Sequence, residues 1–127
     1  MAEGAVDVTI DAAPDAVWAK IGDFGALEEI FPGIVSFRLE GDERIIGMGG
    51  GMEIRERLLS RDDATRSLTY SVIAGVPLDR HEATITVEAV GDGSKVTWAY
   101  DVEPAEMAPL MGDNYKGALA SLQALFT

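Results

Sequence analysis

The sequence has no cysteine, few basic side chains and a single histidine. Its 127 residues contain 10 Lys and Arg against 22 Asp and Glu, for a formal net charge of −12. Without cysteine there is no disulfide framework, thiol nucleophile or thiolate metal site. The excess of negative charge and the scattered basic residues argue against binding to nucleic acid or to an anionic membrane surface.

Long hydrophobic runs are also missing. No apolar stretch approaches the length of about 20 residues that a membrane-spanning helix needs, and the acidic N-terminus is unlike a signal peptide. Residues 1–127 contain no linker or repeat, which favours a single domain. We therefore expect a soluble, cytoplasmic protein without stable membrane insertion, either a monomer or a homodimer.

The most strongly patterned stretch is the last one, residues 109–126. Apolar residues recur there at three- and four-residue steps, the spacing of one face of an α-helix, and Gly112 falls on the opposite side. Pro109 marks the first turn, where its missing N–H costs nothing. The predicted apolar face comprises Met111, Tyr115, Ala118, Leu119, Leu122, Leu125 and Phe126. Such a face must be buried, so the helix needs a sheet to pack on.

Most of the remaining chain alternates between apolar and polar residues, which is typical of half-buried strands. Two short helices are expected after the first strand, one beginning at Pro14 and one over residues 26–31. The predicted strands are residues 6–10, 34–40, 44–48, 52–58, 68–74, 80–90 and 96–102. Short turns between successive strands favour an antiparallel sheet, so we expect an α+β fold in which a curved sheet of about six or seven strands wraps a long C-terminal helix.

Glycines are concentrated at residues 47–51, between two predicted strands. A phosphate-binding loop requires a helix after its glycines, whereas a strand pattern follows here. We interpret this segment as a hairpin or bulge at the rim of the sheet, with Met48 and Met52 beside it.

Several stretches together resemble a known family. Residues 8–18, followed by Ile21-Gly22-Asp23-Phe24, are similar to the opening of the START-like helix-grip (SRPBCC) superfamily, in particular its bacterial polyketide cyclase/dehydrase-like branch. Residues 32–34, 54–58, 62–70 and 91–98 match further along, so the resemblance covers the whole chain in order. It implies a curved antiparallel sheet that grips the terminal helix, with a cavity for hydrophobic small molecules between them. Members include lipid carriers, hormone sensors, aromatase/cyclases, co-chaperone-like proteins and toxins, so the fold does not specify one activity.

Strand parity predicts which side chains face the helix. Glu56 follows Ile54 inward, and His81 lies on the same side of its strand as Ile85 and Val87. The terminal helix contributes Asn114 to the same predicted interior. The predicted ligand-binding residues are Phe24, Phe31, Phe37, Ile54, Glu56, Tyr70, His81, Ala83, Trp98, Tyr100, Met107, Met111 and Tyr115. An apolar and aromatic interior with a few convergent polar groups has the composition of a ligand pocket.

Glu56 is the main candidate for chemistry. A carboxylate on a dry sheet face must be paired or protonated. In one interpretation Glu56 is a general acid or base, with His81 as its proton partner and Tyr70 or Tyr100 orienting an oxygen. In the other it is a structural carboxylate tied to Arg or backbone donors. A lone histidine without cysteine is a poor metal site, so His81 has a structural, half-exposed rim or ligand-contacting role. No metal or cofactor is predicted.

Three functions remain open from the sequence. The first is binding of a hydrophobic or aromatic small molecule, lipid- or polyketide-like, between sheet and helix. The second is an aromatase/cyclase or dehydratase that uses Glu56, His81 and a tyrosine. The third is a protein-interaction module, toxin-like or co-chaperone-like, with a filled cavity.

Overall fold

The computed structural model describes residues 2–25 and 34–126. This part of the chain forms a seven-stranded antiparallel sheet and two α-helices. The strands are β1 (Ala2–Ile10), β2 (Ile34–Glu40), β3 (Glu43–Met48), β4 (Glu53–Asp62), β5 (Ser67–Ala74), β6 (Arg80–Val90) and β7 (Gly93–Glu103). The helices are α1 (Pro14–Ile21) and α2 (Ala108–Ala124), and a 3₁₀ turn, Ala105–Met107, leads into α2. The second short helix that we predict, at residues 26–31, lies outside the described residues.

The sheet is an open meander with β1 added at one edge. Its strand order is β1-β7-β6-β5-β4-β3-β2, so each strand from β2 to β7 pairs with the next one along the chain. All pairs are antiparallel. The α+β class, the antiparallel meander and the C-terminal helix are therefore confirmed, in an arrangement consistent with a helix-grip fold.

The apolar face of α2 forms one side of the core. Its buried residues include all the predicted positions from Met111 to Leu122, but Gly112 is buried too, contrary to the expected polar side. Tyr100 fills the space above Gly112, and a Cβ there would overlap the tyrosine hydroxyl. Leu125 is 44% exposed because it follows the last helical residue, where the helical repeat no longer turns it toward the sheet.

The glycine-rich segment is a tight turn at the sheet rim, as expected from the strand that follows it. Gly49–Gly51 form a single 3₁₀ turn between β3 and β4, with φ of 79° at both Gly50 and Gly51. These left-handed values suit glycine. The Met48 N–H donates to the Met52 carbonyl over 2.8 Å, which closes the hairpin.

The contact between Gly112 and Tyr100 yields a stability prediction. Glycine-to-alanine substitution inside a helix normally stabilises by up to about 1 kcal/mol. We expect Gly112→Ala instead to lower the free energy of unfolding by about 1–3 kcal/mol because the methyl overpacks against Tyr100. Urea unfolding monitored by circular dichroism measures this change.

Gly117→Ala is the matched control, because an added Cβ at Gly117 meets no atom within 4 Å. It should be neutral or stabilising. Tyr100→Phe removes the overlapping hydroxyl and should restore part of the loss in Gly112→Ala. Equal effects of the two alanine variants would contradict the proposed close packing.

Candidate ligand-binding cavity

A cavity of about 400 Å³ lies between α2 and the sheet. It opens where the helix, which packs on β1 and β7, leaves the inner faces of β3, β4 and β5 uncovered. Near the C-terminal end of α2, the Gln123 side chain donates to the Thr9 carbonyl of β1 over 2.8 Å. The cavity therefore results from the position of α2 across the sheet.

The cavity has a closed end and an open rim. Side chains at the closed end are buried, whereas those at the rim are exposed, and the walls between them are partly buried. The closed end consists of Ile46, Glu56, Val72, Met111, Tyr115 and Ala118, the rim of Met52, Leu110, Asp113, Asn114 and Gly117, and the walls of Ile34, Met48, Ile54 and Val76. Most of this lining is apolar, and Glu56 is the charged group at its closed end.

Glu56 forms a buried ion pair with Arg44. Arg44 Nε donates to Glu56 Oε1 over 2.6 Å, and the two side chains are only 4% and 10% exposed. The pair bridges β3 and β4, where the two residues lie directly opposite each other. Glu56 therefore has the partner expected for its structural role, an arginine that pairs with the carboxylate.

Aromatic rings hold the guanidinium in place. The Arg44 guanidinium carbon lies 4.1 Å from the centroid of Phe24 and 5.0 Å from that of Tyr70. Such cation–π contacts offset part of the cost of removing the charge from water. Arg44 thus lies behind Glu56, enclosed by aromatic rings.

His81 joins α2 to the sheet. The Val72 N–H donates to His81 Nδ1 over 3.0 Å, so this nitrogen carries no proton. Nε2 is then the protonated nitrogen of the neutral ring, and it donates to the Tyr115 hydroxyl over 2.6 Å. Burial lowers the pKa of His81 from 6.5 to about 4, which keeps the ring neutral. The half-exposed rim position considered for His81 is wrong, because the side chain is 4% exposed beneath α2.

Aromatic side chains back the cavity behind Tyr115. The Tyr115 ring stacks on Trp98 at a centroid distance of 4.5 Å and an interplanar angle of 12°, and Tyr100 meets its edge. Trp98 Nε1 donates to the Tyr70 hydroxyl over 3.2 Å. Burial raises the pKa of both Tyr70 and Tyr115 above the usual range, so the two phenols remain protonated at neutral pH.

The structure separates the predicted site residues into three groups. Those that line the cavity are Ile54, Glu56, Met111 and Tyr115. Those that lie in the core behind the lining or pack against it are Phe24, Phe37, Tyr70, His81, Ala83, Trp98, Tyr100 and Met107. Phe31 lies outside the described residues. A role in ligand binding stays a prediction for all of them.

Glu56 and His81 are not joined in the predicted proton relay. Both ring nitrogens of His81 are engaged, one by the Val72 backbone and the other by Tyr115, while Arg44 holds Glu56. The ring of Tyr115 and the β5 backbone occupy the positions next to the imidazole. Strand alternation predicts that both side chains lie on the inner face, but it does not predict their hydrogen-bond partners.

Sequence reasoning missed part of the lining and the partner of Glu56. The missed lining residues are Ile34, Ile46, Val72, Val76, Leu110, Asp113, Gly117 and Ala118. Arg44 could have been predicted as the partner of Glu56, because a hairpin that pairs Gly47 with Glu53 also pairs Arg44 with Glu56. Counting outward from the glycine turn would have identified the ion pair.

Within residues 2–25 and 34–126, no group of three or more His, Asp or Glu side chains is arranged to hold a metal ion. In the same ranges, neither helix combines the length and the apolar character that crossing a membrane requires.

Comparison with known proteins identifies the family. A family profile described as polyketide cyclase/dehydrase and lipid transport matches residues 1–127. The chain belongs to this family. The match confirms the resemblance to the polyketide cyclase/dehydrase-like branch noted from the sequence. No curated protein sequence matches the chain.

Solved structures agree with this assignment. The chain is similar to XoxI of Bacillus cereus, with 31% identity, a TM-score of 0.92 and coverage of 99% of this chain and 96% of that one. A protein of Thermobifida fusca matches with 28% identity and a TM-score of 0.88, over 99% of this chain and 93% of that one. The di-domain ARO/CYC protein BexL shares the fold, with 21% identity, a TM-score of 0.83 and coverage of 98% of this chain and 46% of that one.

The buried histidine of this family member predicts a pH dependence of stability. Between pH 6.5 and about 4 the unfolded chain protonates His81 while the folded chain does not. The unfolded state thus binds more protons, so stability falls as the pH falls, by about 1.4 kcal/mol per pH unit from this group alone. Urea unfolding at several pH values across this window measures the slope.

Carboxylates also titrate between pH 6.5 and about 4, and the His81→Phe variant separates their contribution to the slope from that of His81. Because His81 is the only histidine in the chain, the variant removes its contribution completely. We expect the variant to be less stable at pH 7.5, where it loses two hydrogen bonds, but to show a shallower slope below pH 6.5. Parallel slopes for the two proteins would show that His81 is not buried in its neutral form.

Proposed function

We propose that this protein binds a hydrophobic or aromatic small molecule, lipid- or polyketide-like, in the cavity between the sheet and α2. The observation that carries the proposal is the cavity itself. Its volume of about 400 Å³ falls within the range of roughly 300–1,000 Å³ found for small-molecule sites, and its lining is mainly apolar. Membership of a family described by cyclase, dehydrase and lipid transport functions supports the same class of ligand.

The rim suits entry of an apolar molecule. Met52, after the β3–β4 turn, and Leu110, in the first turn of α2, both line the rim and are about half exposed. Thioether side chains adapt to different apolar surfaces at little conformational cost. A filled-cavity interaction module would instead need this space to be occupied by the protein's own side chains.

A cyclase or dehydratase activity would depend on Glu56. Of the three catalytic candidates, Glu56 lines the cavity, while Tyr70 and His81 lie behind Tyr115 with their polar atoms engaged. The ARO/CYC name of BexL supports keeping this activity as the second candidate. Because Glu56 is held in an ion pair by Arg44, binding without turnover agrees better with its surroundings than catalysis by Glu56 does.

Native mass spectrometry of the protein purified without added ligand tests the proposal first. A co-purifying apolar molecule near one-to-one stoichiometry, identified after extraction, would support the cavity as a binding site. A thermal-shift panel of naphthalenes, anthracenes and long-chain alcohols covers the case of an empty protein. No adduct together with no thermal shift across the panel would contradict ligand binding.

A helix substitution tests where the ligand binds. Gly117 lies at the rim on α2 with free space around it, so Gly117→Trp should fold normally and cover the opening. We expect the affinity for the best ligand of the panel to fall by about tenfold or more. Fluorescence titration measures the dissociation constant.

Ala120→Trp is the matched control, because Ala120 is an exposed position of the same helix outside the cavity. Its affinity should stay that of the unmodified protein. If both tryptophan variants bind as tightly as the parent, the ligand occupies a different place from the cavity.

A further inference from the structure

The closed end of the cavity presents a hydrogen-bond acceptor. The Glu56 side chain lines this end and is about nine-tenths buried. The bond from Arg44 Nε uses Oε1, whereas an ionised carboxylate offers about four lone-pair positions on two oxygens. Glu56 therefore has acceptor capacity left for a molecule in the cavity.

The cation of the ion pair is covered and does not line the cavity. Arg44 is 3% exposed, lies between Phe24 and Tyr70, and is absent from the lining that the described residues form. Its guanidinium also reaches the Phe24 carbonyl, over 3.4 Å from Nη1. A ligand that fills the closed end thus meets the carboxylate of the pair and not the guanidinium.

The remaining polar lining does not compensate this charge. Asp113 and Asn114 stand at the rim, and the described lining includes no Lys or Arg. A carboxylate or phosphate on the ligand would face Glu56 at one end and Asp113 at the other. Asp113 is exposed and screened by water, but an ionised acid at the closed end would lie nearer the buried Glu56 carboxylate than the Arg44 guanidinium behind it, and would be repelled.

A wholly apolar ligand is also disfavoured at the closed end. Filling that end with hydrocarbon would remove water from Glu56 without replacing its hydrogen bonds, and a buried acceptor without a partner is costly. An O–H or N–H group at the same place would donate to the carboxylate in a charge-assisted hydrogen bond. The chemistry of the closed end thus selects a donor.

Building on the binding function proposed above, we infer that the ligand is an apolar molecule with a neutral hydroxyl, phenol or N–H donor at its buried end and no acidic group. Glu56 is the group that selects it. Free fatty acids and other apolar carboxylates are rejected, whereas phenolic or alcohol-bearing molecules of similar size are accepted.

Three naphthalenes of similar size test the inference on the unmodified protein. They are 2-naphthol, 2-methylnaphthalene and 2-naphthoic acid, which is ionised at pH 7.5. We expect 2-naphthol to bind about tenfold or more tightly than 2-methylnaphthalene, and 2-naphthoate to bind most weakly. Isothermal titration calorimetry or fluorescence titration gives the three dissociation constants.

Glu56→Gln should reverse the order. The variant removes the negative charge but leaves Arg44 buried, so the closed end becomes positive and 2-naphthoate should become the tightest ligand. Glu53→Gln is the matched control, the same change on the outward-facing side of β4, and should keep the preference for 2-naphthol.

Because an unpaired buried cation is destabilising, a double variant provides a second test that does not depend on the folding of Glu56→Gln. Arg44→Met combined with Glu56→Leu replaces the pair by apolar side chains, which proteins often tolerate without loss of stability. It should bind 2-methylnaphthalene at least as tightly as 2-naphthol.

The outcomes separate this inference from the proposed function. If 2-methylnaphthalene or 2-naphthoate binds the unmodified protein as tightly as 2-naphthol, the cavity binds ligands but Glu56 does not select a donor, and the inference fails. A preference for 2-naphthol that persists in the double variant overturns it as well. If none of the three compounds binds, the inference fails, whereas the proposed binding function is decided separately by the native mass spectrometry and the thermal-shift panel.

Discussion

Burial of the apolar face of α2 on the sheet is the constraint on which the remaining architecture depends. Seven strands at a spacing of about 4.8 Å make a sheet roughly 30 Å wide, whereas a helix with its side chains is about 10 Å across. One helix cannot cover such a sheet. Because Tyr115 stacks on Trp98 and bonds to His81, α2 lies toward β1 and β7. The inner faces of β3, β4 and β5 are left to form a cavity.

The polar groups of the interior serve two different purposes. His81 is fully engaged with Tyr115 and the backbone of Val72, and its neutral ring connects helix to sheet. Arg44 and Glu56 form an ion pair at the closed end of the cavity, where two apolar side chains would fill similar space without the cost of desolvating charges. The first set stabilises the position of α2, and the second gives an otherwise apolar cavity its chemical character.

Individual residues illustrate how far the sequence determines the site. Alternation along β4 and β6 was enough to put Glu56 and His81 on the inner face, and both are buried. It did not reveal that His81 bonds to Tyr115, because that bond joins residues 34 positions apart on elements whose relative placement depends on packing. The Arg44–Glu56 pair was within reach of sequence reasoning, since the glycine turn sets the register of the β3–β4 hairpin.

Local periodicity and turn chemistry were enough to predict the seven strands, α1, α2, the antiparallel meander and the inward side of β4 and β6. Which inward residues border open space and which are covered depends on tertiary packing, above all on the position of α2. Tyr70 and Trp98 face inward as predicted but are enclosed behind Tyr115, whereas Ile46 and Val72 border the cavity. The reason is physical: where α2 lies across the sheet depends on how side chains from distant segments fit together, and no short stretch of sequence contains that information.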